Sequence, residues 1–330
     1  MNPKVSVIVP VYKAEKYIER CATSLFGQTL DEIEYIFIDD NSPDNSIQIL
    51  ETLIPRYEKR ISQIRIERMP ANVGQAIIRQ YGTHIATGDY IIHCDSDDWV
   101  DCHMYEDLYN YAEINSMDMV WCDFYKSDGR KHKLITQSND VEKTSVINSF
   151  FTGKLMASLW NRMYKRNLHL SKDFVFPSCN MTEDFVFSLQ IALNSNKIGY
   201  IPKPYYYYYI NNSSISRSVS AEQILCKLDD VQRNSEIIFS IIKRNHLLHN
   251  FEKAIEYRKL LCRGVLNPVL NQNKMKDKWL NVYPEINDVI LCNPYITNIQ
   301  KLQFYLIKNR YNCLYNLLFY VESMLRRFAK

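Results

Sequence analysis

Glycine is scarce in this chain, and the loop after the first predicted strand has none. The 330 residues include 8 glycines, and none of them falls in PVYKAEKY at residues 10–17. A loop that wraps a triphosphate with its main-chain N–H groups is normally rich in glycine, since a bare backbone approaches phosphate closely. The composition therefore counts against a triphosphate-binding loop at this position.

Cysteine pairs at metal-ligand spacing are also missing. Nine cysteines are scattered along the chain without a CxxC pair, so neither a zinc site nor a disulfide framework is indicated. Reduced thiols in the cytoplasm are the expectation.

Long apolar runs and a strong net charge are absent too. No apolar run is long enough to span a bilayer, and the start MNPKVSVIVPVYK is too short and polar-flanked for a signal peptide. A net charge of +3 is too small to indicate nucleic acid as a partner.

Strand and helix patterns alternate through the first third of the chain. Helical spacing predicts helices at 15–27, 45–59 and 74–83, the last with Asn72 as its cap. Apolar runs predict strands at 5–9, 33–38, 64–67, 90–94 and 117–124. This alternation is typical of an α/β fold with a doubly wound, mostly parallel sheet.

The later part of the chain has a different pattern. Residues 126–145 are polar and predict a loop, and helices are predicted at 221–246, 249–270 and 297–328. We therefore expect one domain over 1–216 and a helical C-terminal region over 217–330.

Acidic residues follow the predicted strands. Asp39 and Asp40 end the second strand, and Asp95, Asp97 and Asp98 follow the fourth. Because ligands bind outside the carboxyl ends of the strands in such sheets, these groups should converge with Pro10-Val11-Tyr12.

The stretch Asp95-Ser96-Asp97-Asp98 has two interpretations. Its carboxylates offer the oxygen ligands that Mg²⁺ or Mn²⁺ prefers beside substrate phosphates. Alternatively it is a solvated turn in which Asp98 or Asp101 caps the next helix. For Asp44, a capping role before its own helix is preferred.

Two further segments carry polar groups of interest. Thr182-Glu183-Asp184 opens an apolar helix, either as a capping box or as the source of a general base. The stretch at 160–165 combines an aromatic, an amide and a cation, which suits sugar binding or ordinary packing. The tyrosines at 205–209 are interpreted as strand packing for the most part.

Taken in order, these segments resemble the inverting family 2 glycosyltransferases, which have the GT-A fold, a Rossmann-like α/β sheet. The resemblance covers residues 4 to about 216. It is carried by five segments in sequence: VSVIVPVYKAEKYIERCATSLFGQTL, IEYIFIDDNSPDNS, NVGQAIIRQYGTHIATGDYIIHCDSDDW, LWNRMYKR and TEDFVFSLQIA.

The resemblance implies a role for each matched position. Asp184 would be the general base, and Glu183 would help to bind the acceptor. The metal would be held by Asp97, with Asp98 a close second and Asp95 more on the ribose side. The donor nucleotide would be bound by Pro10, Val11, Tyr12, Asp39, Asp40, Asn72, Gly74, Arg79, Asp95 and Ser96. The sugar pocket would be bordered by Trp160, Asn161 and Lys165.

The family's chemistry follows from these roles. With Mn²⁺ or Mg²⁺ on the departing diphosphate, Asp184 would deprotonate an acceptor hydroxyl for a single displacement, so an α-linked donor would give a β-glycoside. UDP-sugars are the family's commonest donors, and capsule or lipopolysaccharide assembly is its common setting. Two positions depart from the pattern: Gln80 replaces an asparagine, and Tyr209 stands where an arginine often precedes a Ser-Ile pair, here Ser214-Ile215.

The tail at 301–330 combines an apolar stripe with flanking cations. The stripe comprises Phe304, Leu306, Tyr311, Leu314, Leu317, Leu318, Val321 and Leu325, and the cations are Lys308, Arg310, Arg326, Arg327 and Lys330. Such a helix can lie on an anionic bilayer, or it can pack on the protein or on a second subunit.

Two other functions compete with glycosyl transfer. A sugar-nucleotide nucleotidyltransferase would need the glycine-rich loop that is missing here. A non-catalytic protein that binds nucleotide sugars or glycans would not need both the Asp-x-Asp and the Thr-Glu-Asp segments.

Overall fold

The computed structural model describes residues 3–210 and 220–328, with side chains described as far as residue 321. The chain divides into two compact units, Met1–Ser214 and Ile215–Lys330. The predicted boundary between 216 and 217, and the Ser214-Ile215 pair, lie outside the described residues.

The first unit is built on a mixed sheet of nine strands among the described residues. The strands are β1 Val5–Val11, β2 Ile33–Asp39, β3 Ile64–Arg68, β4 Tyr90–His93, β5 Trp99–Val100, β6 Met119–Ser127, β7 His132–Ile135, β8 Arg162–Lys165 and β9 Ile198–Tyr209. Their order is β3-β2-β1-β4-β8-β6-β9-β5, and β7 pairs with β6. Strands β3, β2, β1 and β4 are parallel. The predicted α/β sheet, mostly parallel and of GT-A type, is confirmed.

Helices cover both faces of this sheet, which is why its central strands β1, β2 and β4 are mostly apolar. Residues 5–9 of β1 are all buried, as both faces of a parallel sheet require. The helices of this unit are α1 Ile18–Phe26, α2 Ser46–Leu53, α3 Gln75–Ile85, α4 Met104–Asn115, α5 Lys143–Thr152 and α6 Glu183–Asn194.

Three local predictions for this unit are wrong. Helix α2 ends at Leu53 rather than near 59, because Pro55 has no N–H group to continue the helical hydrogen bonds. Asn72 does not cap α3, since Gly74 holds that position. Strand β7 lies in the predicted loop and pairs with β6 across a turn.

The second unit is helical in its described part. Its α-helices are α7 Ala221–Arg244, α8 Leu248–Arg263, α9 Asn273–Asn281, α10 Asn298–Lys308 and α11 Asn312–Phe328. The helix predicted over 297–328 is therefore two helices, and the break includes Arg310 with a φ of 60°. Among the described helices, none is both long enough and apolar enough to cross a membrane.

Candidate active site

Parallel pairing brings the predicted acidic segments to one edge of the sheet. Strand β1 lies between β2 and β4 in the same direction, so the residues after each strand meet at the carboxyl edge. Tyr12, Asp40 and Asp95 all follow these strands directly or within one residue. The parallel direction of these strands therefore brings the chain segments together at one edge, as predicted.

Arg79 is the centre of this site. Its side chain is 1% exposed and lies on α3. Its Nη2 donates to Asp95 Oδ1 at 2.8 Å, and its Nε lies 3.8 Å from Glu183 Oε1 and 3.6 Å from Asp184 Oδ1. One guanidinium thus joins the segment after β4 to the first turn of α6.

The three carboxylates outnumber the single cation, and two of them, Glu183 and Asp184, have a raised pKa. Burial raises the pKa of Glu183 well above its ordinary range, and the charge of Asp184 adds to the increase. Burial also raises the pKa of Asp184, although Arg79 opposes the increase. Burial lowers the pKa of Arg79, but the charges of Asp184, Asp95 and Glu183 outweigh that effect, so it stays protonated.

Asp184 remains accessible within this cluster. Its side chain keeps 26% of its exposure, whereas Glu183 is 7% exposed. Its Oδ1 is buried beside Arg79 and has no hydrogen-bond partner among the described residues, so the exposure belongs to the rest of the side chain. A partly exposed carboxylate with a raised pKa is suited to accept a proton.

The N-terminus of α6 does not form the capping box that was one alternative. Thr182 is the N-cap residue but has a φ of 66° and makes no capping hydrogen bond with its side chain. The acidic pair is therefore not engaged in the reciprocal bonds of that motif. Both carboxylates therefore belong to the cluster around Arg79.

Asp98 faces the protein interior, unlike the two aspartates before it. It is fully buried, and it accepts hydrogen bonds from the Tyr206 hydroxyl at 2.6 Å and from the Tyr209 N–H at 2.6 Å. Both oxygens are thus occupied by protein donors, which leaves Asp98 without a ready position for a metal. Asp101, rather than Asp98, binds the N–H of His103 before α4.

Asp95, Ser96 and Asp97 stay partly exposed at the sheet edge. The main chain of this segment is held from two sides: the Tyr206 hydroxyl accepts from the Asp95 N–H at 3.1 Å, and Arg20 donates to the Asp97 carbonyl at 2.7 Å. No group of three or more His, Cys, Asp or Glu side chains in the described chain is arranged to hold a metal by itself.

Asp40 organises the loop before α3. It is 3% exposed, and its carboxylate accepts from the N–H of Val73 at 2.7 Å, the N–H of Gly74 at 2.9 Å and the Asn72 side chain at 2.9 Å. Asp39 beside it accepts from the Ser42 N–H at 2.8 Å. These bonds give Asp40 a structural role at the site. Asp44 accepts from the N–H of Ser46 at the start of α2, but the N-cap residue is Asn45, so the predicted capping position is wrong by one residue.

Gly74 is required by the close approach of another loop. Its φ is +90°, and an added Cβ would lie 2.5 Å from the side chain of Asn180. The side-chain Oδ1 of Asn180 in turn accepts from the Ala76 N–H at 3.0 Å. Asn180 therefore connects the start of α3 to the segment that leads into Glu183.

The three predicted sugar-binding residues are not brought together at this edge. Trp160 is buried and stacks on Tyr206 at 4.3 Å, and Asn161 is buried and donates to the Cys122 carbonyl at 2.7 Å. Lys165 pairs with Asp118 at 3.0 Å and aligns with Tyr90, the first residue of β4. It therefore lies at the opposite edge from Asp95.

Arg20 and Asn180 are site residues that sequence reasoning missed. The Arg20 guanidinium lies 3.9 Å from the ring centre of Trp99 and 4.6 Å from that of Tyr209. Its position on α1 carries no local signal, because its contacts come from distant strands. Tyr12, by contrast, is 38% exposed at the edge as expected for a residue that borders a ligand.

Comparisons with known proteins identify the family and the fold of the chain. The family model described as glycosyl transferase family 2 matches residues 6–187. The uncharacterized glycosyltransferase EpsJ of Bacillus subtilis is 32% identical over 224 residues, which are 66% of this chain and 64% of EpsJ. The chain thus spans slightly less than two thirds of that relative.

A second relative is matched over almost its whole length. The poly(ribitol-phosphate) beta-N-acetylglucosaminyltransferase TarP of Staphylococcus aureus is 29% identical over 325 residues, 92% of this chain and 95% of TarP. The crystal structure of S. aureus TarS 1-349 with UDP-GlcNAc has a similar fold, with a TM-score of 0.66 at 19% identity over 97% of this chain and 92% of that one.

Proposed function

This chain belongs to glycosyltransferase family 2, and from that premise we propose that it transfers a sugar from a nucleotide-sugar donor to a hydroxyl of a glycan or lipid-linked acceptor. The observation that carries the proposal is the contact of one buried arginine with Asp95 and Asp184. Asp95, in the segment expected at the donor, and Asp184, the expected proton acceptor, lie 2.8 and 3.6 Å from the same guanidinium, which supports the proposal. We expect the setting to be cell-surface polysaccharide synthesis.

Asp184 is the general base in this proposal. It takes the proton of the acceptor hydroxyl as that oxygen attacks the anomeric carbon, and a placed base contributes about 10²- to 10⁴-fold in rate. Glu183, buried beside it, orients the acceptor. A single displacement inverts the anomeric centre, so an α-linked donor yields a β-glycoside.

Asp95 and Asp97 fit a divalent cation, Mn²⁺ or Mg²⁺. Both are partly exposed, and Mg²⁺ is commonly bound by one or two carboxylates completed by substrate phosphates rather than by an all-protein cage. When bound, such a cation neutralises charge on the departing diphosphate. Asp97 is our choice for direct contact, as the resemblance to the family implies, and Asp98 is less suitable because protein donors bind both of its oxygens.

We expect the donor to be a UDP-sugar, held by the loops after β1 and β2. Tyr12 is exposed beside the base position, while Asp40 holds the 72–74 loop in place. The solved complex of TarS with UDP-GlcNAc, which shares this fold, supports the choice of nucleotide.

A thermal-shift screen of nucleotide sugars with Mn²⁺ tests the donor. A ligand at 100 times its Kd stabilises the folded state by about 2.7 kcal/mol, which corresponds to a rise in Tm of several degrees. We expect one UDP-sugar to exceed the others. Equal shifts for all nucleotides, or none, would contradict the assignment of this edge as a donor site.

The second unit offers a surface for a membrane, which would suit a lipid-linked acceptor. Of the predicted stripe, Phe304 and Leu306 are buried, whereas Tyr311, Leu314 and Leu317 are 47%, 56% and 61% exposed. Leu325 and the cations at 326, 327 and 330 lie outside the described side chains. Apolar and aromatic groups with flanking cations bind anionic bilayers.

Vesicle co-sedimentation tests this surface. The double variant Leu314→Gln/Leu317→Gln should lose binding to anionic vesicles, whereas Ile114→Gln should keep it, although Ile114 is 82% exposed on α4 of the first unit. Equal sedimentation of all three proteins would remove the membrane from the proposal without affecting the donor screen.

A further inference from the structure

The hairpin formed by β6 and β7 carries an exposed group of cations outside the site described above. We call Lys126, Arg130, Lys131 and Lys133 the basic hairpin; all four are exposed. Within the described chain none of the four forms an ion pair with another residue. The acid in this segment, Asp128, accepts from the main-chain N–H groups of Arg130 and Lys131 at 2.8 Å each.

Two of these cations stand directly opposite each other. Lys126 on β6 aligns with Lys133 on β7 in the antiparallel pair, and like charges at opposed positions destabilise a sheet. Lysine on an edge strand discourages aggregation, which explains the presence of Lys133 on β7. The same explanation does not apply to Lys126, because β6 is paired on both sides, with β7 and β9.

The basic hairpin lies at the same edge of the sheet as the Asp95–Asp98 segment. Strand β8 is antiparallel to both β4 and β6, so β4 and β6 run in the same direction. Trp99, which follows Asp98, aligns with Tyr207, and Tyr207 aligns with Tyr125 on β6. Trp99, Tyr207 and Tyr125 thus form a row that begins next to the Asp95–Asp98 segment, and the hairpin turn lies just beyond this row.

That row is a continuous stack of aromatic rings. Tyr207 stacks on Trp99 and on Tyr125, with ring centres 5.1 Å apart in both pairs. The three side chains are partly exposed. Aromatic side chains with a polar tip suit contact with sugars, since they offer an apolar ring and a hydrogen-bonding group together.

We propose that the basic hairpin and the adjoining aromatic row bind an acceptor polymer that carries regularly spaced anionic groups, phosphodiesters or carboxylates. This inference rests on the proposed function, and it names the chemical class of the acceptor. An anionic bilayer fits this surface less well, because Leu134 is the one large apolar side chain exposed within 126–135, and membrane-surface segments need an apolar face.

Polymer binding by the full chain tests the inference. We would measure affinity for polyphosphate, polygalacturonate and neutral dextran at 0.05 to 0.2 M salt by fluorescence anisotropy or calorimetry. The variant Lys126→Gln/Arg130→Gln/Lys131→Gln/Lys133→Gln should lose roughly 10- to 100-fold in affinity for one anionic polymer at low salt, and its salt dependence should weaken, since each phosphate contact contributes to that slope.

A matched variant controls for total charge. Lys59→Gln/Lys154→Gln/Lys172→Gln/Lys197→Gln removes four exposed cations elsewhere in the first unit and should bind the polymer like the wild type. Lys133→Glu replaces the opposed like charges with an ion pair, so it should raise Tm slightly while it weakens polymer binding. A folding defect cannot give that combination.

The two anionic polymers distinguish phosphodiester-type from carboxylate acceptors. Equal binding of dextran, an equal loss in the matched variant, or binding to anionic vesicles in place of either polymer would overturn the inference. The donor-induced thermal shift should be unchanged in the hairpin variant. Suppose that the hairpin variant loses polymer binding but that no nucleotide sugar raises the Tm of the wild type. The polymer-binding surface would then stand, and the proposed function would be rejected.

Discussion

Both compact units bury an arginine, and the two arginines have opposite surroundings. Arg79 in the first unit faces carboxylates from two other segments. Arg263 in the second unit is fully buried, donates to the main-chain carbonyls of Val282 and Tyr283 at 2.7 and 2.9 Å, and lies over the ring of Trp279.

The difference distinguishes the proposed active site from a structural one. Burial lowers the pKa of Arg263 to about 10, whereas the carboxylates around Arg79 raise its pKa. Neutral carbonyl acceptors hold a cation without creating a group that titrates. An excess of buried carboxylates around one cation creates proton acceptors with raised pKa, which is what catalysis needs.

The largest expected effect is on Asp184. The variant Asp184→Asn should lose about 10²- to 10⁴-fold in transfer rate, because the amide cannot accept the proton, while donor binding persists. The release of nucleotide in the presence of acceptor and the donor thermal shift measure the two properties. Asp229→Asn, at an exposed position of the second unit, is the control, and near-normal turnover by Asp184→Asn would show that the base is another group.

Replacement of each buried arginine tests the comparison itself. Arg79→Met should cost about 3 kcal/mol of stability, since three carboxylates lose their shared cation, and should abolish transfer. Arg263→Met should cost about 2 kcal/mol through two lost charge-assisted hydrogen bonds but leave transfer measurable. Denaturant unfolding and kcat are the measurements. If Arg263→Met abolished kcat in folded protein, the second unit would have a part in catalysis.

The pH dependence of stability should also differ between the units. The raised pKa of Glu183 means that its contribution to stability is present below its unfolded pKa of about 4.3 and is lost as pH rises through the folded pKa. Glu183→Gln should therefore have a higher Tm than the wild type at pH 8, with a smaller difference near pH 4. Exposed Glu252→Gln in the second unit should show no such trend. A lower Tm for Glu183→Gln at pH 8 would show that Glu183 is ionised and stabilised by Arg79.

The smallest expected effect concerns a buried lysine of the second unit. Lys276 is 3% exposed and donates to the side-chain oxygens of Asn312 and Asn316 at 3.1 and 2.9 Å. Lys276→Met should cost about 1–2 kcal/mol, because the two amides lose a shared donor, and should leave transfer unchanged. Denaturant unfolding measures this cost, and a transfer assay with saturating donor and acceptor would reveal any effect on kcat.

Much of the first unit could be predicted from its sequence. The apolar runs located β1 to β4 and most of β6 within a few residues, because β1, β2 and β4 are largely buried and therefore rich in apolar residues. The order of five segments indicated the family. Helix α9, strand β7 and the break between α10 and α11 were not predicted, since their polar residues give a weak periodic signal that tertiary packing overrides.

The sequence by itself determined the fold class, the family and the presence of acidic groups after the second and fourth strands. Only the tertiary structure decided what each carboxylate does. Asp98 faces inward because Tyr206 and Tyr209 reach it from 108 and 111 residues further along the chain. Glu183, which is buried, and Asp184, which is partly exposed, have raised pKa values because α6 takes them out of water beside the guanidinium that Asp95 also contacts. Contacts and burial of this kind depend on distant segments, so no local pattern contains them.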